Sequence, residues 1–159
     1  MKKLLSLALS LALVLSFAAC SNSTSSTPDS SSDEQSSVSQ VVEGLWATAT
    51  YTENAKVGEG EKTVEMTVTA EDKSVVITVK TDAETVGDML RETRVATGSE
   101  SDYGLFVDTV NGIKADWDTD GTYWGFYVDG EYSSVGVDSV DIPTDGSLNI
   151  AFNLEKDNG

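Results

Sequence analysis

From Leu45 to Leu154 the apolar residues fall mostly into short alternating runs, and only one segment has the spacing of a helix. Successive side chains on a strand point to opposite sides, so alternation with a period of two marks strands with one buried face. Thr63 to Ala70 shows it most clearly, with Val64, Met66, Val68 and Ala70 set against Thr63, Glu65, Thr67 and Thr69. Leu45 to Thr52 alternates in the same way, with Leu45, Ala47, Ala49 and Tyr51 on one side and Trp46, Thr48 and Thr50 on the other. Asn54 to Gly60 is a loop. Ser74 to Lys80 follows the turn Glu71-Asp72-Lys73, a link so short that it can join only antiparallel strands. Further strands are predicted at Tyr103 to Val110, Thr122 to Val128, Glu131 to Ser133, Val137 to Ile142 and Ser147 to Leu154, with Ala96 to Asp102 a polar loop. Asn111-Gly112 and Asp129-Gly130 are tight-turn signals, because such turns need positive φ at both central residues.

The helical exception begins at Thr85, where Thr85-x-x-Asp88 has the form of a capping box. Val86, Met89 and Leu90 then share one face, and the segment is predicted to end near Thr93. Arg91 and Arg94 fall near its C-terminal end, where positive charge suits the helix dipole. Two strands, one helix and several more strands make an α+β domain, compact and β-rich, with the helix packed on an antiparallel or mixed sheet.

The N-terminal residues have a different character. Met1-Lys2-Lys3 is a short positive region, and Leu4 to Ala19 is an apolar run that ends just before Cys20. That is the pattern of a signal peptide at residues 1–19, and small residues before a lone cysteine resemble the bacterial lipobox. Cys20 is the expected lipidation site. Residues 20–40, rich in Ser and Thr and without an aromatic residue, are expected to form a disordered tether. The folded domain is then 41–159. The chain is expected to be exported and held on the extracellular face of the cell membrane by the lipid on Cys20.

Composition excludes several kinds of chemistry. The 159 residues include no histidine and one cysteine. Imidazole bases, Ser-His and Cys-His pairs, and a disulfide framework are therefore absent, and zinc and copper lose their usual ligands. Hard cations bound through oxygen remain open. There are 10 basic and 27 acidic residues, a formal charge of -17. A surface so negative repels phosphate, so no nucleic acid is expected as a partner. Carboxylates are too abundant for any pair to mark a glycosidase, and the chain is expected not to be an enzyme.

Two constellations remain between Asp116 and Tyr132. Asp116, Asp118 and Asp120 alternate and meet Gly121, which fits the first half of a calcium loop. The twelfth position is Tyr127, where a bidentate glutamate belongs, so the alternatives are a calcium turn between strands and a solvated acidic loop. Beyond it, Tyr123, Gly125 and Tyr127 share one strand face, while Trp124 and Phe126 share the other. Phe126 is expected under the helix at Met89 and Leu90. Trp124 fits either the core or the rim of a pocket. Gly125 leaves room for a close approach between two tyrosines.

The ordered segments TVEMTV, SVVITVKTDAETVGDMLRE, YGLFVDTVNGI, GTYWGFYVDGEYSSVGVDSVDI and DGSLNIAF resemble the C-terminal β-domain of the transcobalamin and intrinsic-factor family. They are more similar still to bacterial surface lipoproteins of domain-of-unknown-function family 4430, which share the opening LWATATYTENAKVGEG pattern. The resemblance spans Leu45 to Leu154. It implies a β-grasp-like fold with one helix on the sheet. It also implies that Tyr103, Gly104, Leu105, Tyr123 and Trp124 face a ligand, with cobalamin the ligand of the family. No helical domain to cover the other face of cobalamin, as in those proteins, is expected within these 159 residues. The chain would thus offer half of a corrinoid site and need a transporter or a helical cobamide-binding partner. The alternative is a structural or adhesive surface module, calcium-stabilised through Asp116, Asp118 and Asp120, that binds wall polymer or protein.

Overall fold

Val64, Met66, Val68 and Ala70 are all fully buried, while Glu65 between them is exposed, so the expected alternation forms a strand with one face on the core. The computed structural model describes residues 43–159. The signal peptide, Cys20, the tether and the first two residues of the expected domain lie outside them. No helix among the described residues is long and apolar enough to cross a membrane.

The strands are β1 (Ala55–Gly58), β2 (Lys62–Ala70), β3 (Lys73–Thr81), β4 (Ala96–Ser101), β5 (Gly104–Val110), β6 (Ile113–Lys114), β7 (Thr122–Val128), β8 (Glu131–Tyr132) and β9 (Ser147–Lys156). Helix α1 is Val86–Thr93, and α2 is a single turn at Trp117–Asp120. One sheet has six strands in the order β1-β3-β2-β9-β7-β8, and a second has three in the order β4-β5-β6. β2 and β3 form the expected antiparallel hairpin, and β9 returns parallel to β2 and antiparallel to β7. The β2–β3 hairpin, the helix and a parallel final strand beside β2 make a β-grasp-like centre. The fold is α+β with a mixed sheet.

Helix α1 has only eight residues, too few to persist alone in water. It is held by burial of Val86, Met89 and Leu90, which join the core formed by β2, β3 and β9. Its start is capped as the sequence predicts: the Thr85 hydroxyl accepts the Asp88 amide proton at 3.1 Å. Its end is fixed by Arg94, whose left-handed backbone directs its N–H to the Leu90 carbonyl at 2.8 Å.

Four expectations are corrected. Asn54 to Gly60 is not all loop, since Ala55–Gly58 forms β1 and pairs parallel with β3. Leu45 to Thr52 is not a strand. It holds a 3₁₀ turn at Gly44–Thr48, with Trp46 as the inward residue. The Trp46 indole donates to the Ala70 carbonyl at 3.0 Å, and Lys73 lies over its ring at 4.6 Å. Beyond the turn the chain is tied to Asn111 rather than to a strand. The Thr50 amide donates to the Asn111 carbonyl at 2.8 Å, and the Asn111 side chain exchanges two 2.8 Å hydrogen bonds with the Tyr51 backbone.

Ala96 to Ser101 is a strand rather than a loop. Only Ala96 is buried in it, so no alternation marks it, and its order comes from the backbone ladder with β5. Val137 to Ile142 is a 3₁₀ turn at Val137–Ser139 followed by a single bridge between Asp141 and Thr85.

Candidate functional site

Strand β7 carries the aromatic residues, and its pleat sorts them. Trp124 faces inward, 8% exposed, with its indole N–H donating to the Ile113 carbonyl at 3.2 Å. Phe126 only borders the core. It stacks on its cross-strand partner Phe152 with ring centroids 5.1 Å apart, which corrects its expected place beneath α1.

On the other face, the Tyr123 and Tyr127 hydroxyls both donate to the carboxylate of Glu155, at 2.6 and 2.5 Å. Gly125 lies between them, and a Cβ there would collide with the same carboxylate. The space expected at Gly125 is therefore filled by Glu155. The hydrogen bond to Glu155, then desolvation and its charge, push the Tyr123 phenol up to about 12. The Tyr127 phenol is raised chiefly by the same partner. Tyr132 meets Tyr127 edge-on at 5.3 Å, and Trp117 lies 5.8 Å from Tyr123.

These elements enclose a groove of about 340 Å³. Strand β5 contributes Leu105 to Asp108, β7 contributes Tyr123, Trp124 and Phe126, and the segment after β7 contributes Tyr132 and Val135 to Val137. Trp117 of α2 and Phe152 of β9 complete the apolar lining. Five large apolar residues are strongly exposed among the described residues, and four of them line this groove: Phe106 (67%), Tyr132 (61%), Trp117 (57%) and Val135 (49%). Contiguous exposed apolar surface of this kind marks interaction sites.

Of the residues expected to face a ligand, Leu105, Tyr123 and Trp124 line the groove, and Tyr103 and Gly104 do not. Tyr103 projects into solvent from the turn between β4 and β5. Gly104, at φ 96°, packs against Asp138, leaving no room for a Cβ. Asp138 organises this end of the domain. Its Oδ2 accepts the Leu105 amide proton at 2.7 Å, and its Oδ1 pairs with Arg91. Arg91 also grips Glu100 with two hydrogen bonds of 2.8 and 2.9 Å. The Arg91 guanidinium holds the Asp138 carboxyl below its ordinary range, aided by the Leu105 amide.

Asp116, Asp118 and Asp120 do not converge. Asp118 and Asp120 lie on the single turn α2, where each residue advances by about 100°, so these two point apart, and Asp116 precedes the turn as its N-cap. There it accepts the Thr119 amide proton at 3.0 Å. Asp120 accepts the Thr122 hydroxyl at 2.6 Å and its amide at 3.0 Å, bonds that hold its carboxyl low. No group of three acids, histidines or cysteines among the described residues is placed to hold a metal ion.

Phe106, Asp108, Trp117, Val135 and Phe152 were not foreseen in the site. Each carries a residue type suited to binding, but nothing local tells that β5 comes to lie against β7.

Residues 83–156 match the family model described as Domain of unknown function (DUF4430). The matched segment contains α1, β5, β7 and β9, and so all the residues that line the groove. A solved structure of a candidate metal-binding protein from Ruminococcus gnavus is similar, with 28% identity and a TM-score of 0.55 over 61% of this chain and 99% of that one. Haptocorrin, solved in complex with Cbi, aligns at 19% identity and a TM-score of 0.44 over 60% of this chain and 25% of its own. No curated protein matches the sequence.

Proposed function

We propose that this chain is a non-catalytic binding module, displayed on the cell surface by a lipid on Cys20, whose groove receives the apolar face of a small ligand. The observation that carries the reading is the clustering of Phe106, Trp117, Tyr132 and Val135, all strongly exposed, around one groove. Leaving that much apolar surface in water is unfavourable unless something covers it. A volume of about 340 Å³ is near the lower end of small-molecule sites, roughly 300–1,000 Å³.

A corrinoid is the first ligand to test, because Leu105, Tyr123 and Trp124 occupy positions the transcobalamin resemblance assigns to contact and all three line the groove. The domain would cover one face, and a membrane partner would cover the other. Equilibrium dialysis of the chain against cobalamin, alone and with solubilised membranes, is the test. Retention that falls at least several-fold in Trp117→Ala supports the reading. Retention that Trp117→Ala leaves unchanged, or none in either condition, removes the corrinoid.

A second reading, a calcium-stabilised adhesive module, draws on the metal-binding candidacy of the Ruminococcus gnavus relative. Here the acidic turn would have to reorganise to gather its carboxylates. A calcium-dependent rise in melting temperature that disappears in Asp118→Asn is its signature.

A further inference from the structure

Building on the reading of the groove as a ligand site, we propose that its ligand carries a positive charge, an ammonium or guanidinium group on an apolar body, and that Asp108 is the counter-ion. Among the described residues, Asp108 is the only charged one lining the groove, and no lysine or arginine among them lines it. It is half-buried, its Oδ1 accepts the neighbouring Thr109 hydroxyl at 2.7 Å, and it belongs to none of the salt bridges found among the described residues, all of which use Arg91. A carboxylate partly withdrawn from water without a cation is left poorly compensated, and a bound cation offsets that cost.

Of the four hydroxyl side chains in the lining, three already donate within the protein, and the fourth, Tyr132, is neutral. Thr122 donates to Asp120 at 2.6 Å, Ser133 to the Val135 carbonyl at 2.9 Å, and Tyr123 to Glu155 at 2.6 Å. The groove thus presents a ligand with one carboxylate that has no cationic partner, the Tyr132 hydroxyl and the exposed rings of Phe106, Trp117 and Tyr132. Aromatic faces attract cations through the negative face of the ring. The formal charge of -17 reinforces the choice, since its field draws cations and repels anions.

The test uses three probes of one shape: 2-(2-naphthyl)ethylammonium, 2-(2-naphthyl)ethanol and 2-naphthylacetate. Binding is followed by the indole N–H signals of the ¹⁵N-labelled chain, with the Trp117 signal assigned by Trp117→Phe. The ammonium is expected to bind about tenfold tighter than the alcohol, and the carboxylate weakest, an order that one partly screened charge contact can produce. Asp108→Asn should bring ammonium and alcohol within about twofold, while Asp72→Asn, which removes the same charge from the exposed β2–β3 turn, should leave the preference intact. Equal binding of the three probes, or a preference that survives Asp108→Asn in a chain with an unchanged melting temperature, overturns the inference and leaves the groove as a site. If none of the probes moves the Trp117 signal, the groove reading falls and this inference with it.

Discussion

Asp138 accepts the Leu105 amide proton at 2.7 Å from a 3₁₀ turn that lies 33 residues further along the chain. The same carboxylate pairs with Arg91 on α1, so one side chain joins the helix, the start of β5 and the turn beside Val137. Leu105 and Val137 both line the groove. The network therefore fixes the relative position of two parts of its wall. It lies partly in water, with side-chain exposures of 34% for Arg91 and 28% for Asp138, so its ion pairs contribute modestly and its geometry is the larger effect.

Asp138→Ala is expected to destabilise the domain by about 1–2 kcal/mol, because it leaves the Leu105 amide without its acceptor. Asp138→Asn keeps an oxygen for that amide and loses only the charge, so it should cost less. Urea unfolding of both variants and of Arg91→Ala checks this. A cost for Asp138→Asn equal to that of Asp138→Ala would show that charge, not the Leu105 bond, matters.

Acidification should weaken the same network. The Asp138 carboxyl is held below its usual range, first by the hydrogen bond from Arg91 and then by the Leu105 amide. A group with a lowered folded pKa contributes stability above its unfolded value of about 3.9, and loses it as pH falls through the folded value. The fall in melting temperature below about pH 4 should therefore be shallower in Asp138→Asn than in the parent. Parallel curves would remove Asp138 from the acid response.

At high pH the sign reverses for Tyr123. Its phenol is pushed up to about 12, chiefly by the hydrogen bond it gives to Glu155. Its contribution to stability is complete below the unfolded value of about 10 and is lost as pH rises through the folded value. Glu155→Gln should bring the Tyr123 titration down toward 10, read by ultraviolet absorbance of phenolate. No change on that substitution would exclude Glu155 as the cause.

Asn111→Ala should cost about 2–4 kcal/mol. It removes both side-chain bonds to Tyr51 from a residue that is 1% exposed, and it places alanine at φ 53°. The expected result is a lower urea midpoint. Trp46 fluorescence should also become more accessible to acrylamide, since Asn111 ties down the segment that follows Trp46. Asn111→Asp, which keeps the acceptor for the Tyr51 amide and loses the donor, should fall between the two.

The period-two runs Val64–Ala70 and Ser74–Lys80, the capped helix at Thr85 and the Asn111-Gly112 and Asp129-Gly130 turns were all legible, because each is written in residues close together in the chain. Burial on one face imposes alternation, and a cap or a tight turn needs particular side chains at fixed spacing. That was enough to determine an α+β domain and its central hairpins. Polar Ala96 to Ser101 could not be read as a strand, since its order comes from pairing with β5 and not from burial. The alternation of Leu45 to Thr52 misled because Asn111, some 60 positions away, takes its backbone amides. The acids at 116, 118 and 120 suggest convergence only if the backbone is extended, and α2 is helical. Whether Trp124 faces core or ligand was open in the sequence; packing against Ile113 makes it part of the core, with one edge at the groove. The groove itself was decided by tertiary structure alone. Its members come from β5, α2, β7, β8 with the segment after it, and β9, and only the docking of the three-stranded sheet beside β7 brings Phe106 and Asp108 to Trp117 and Tyr132.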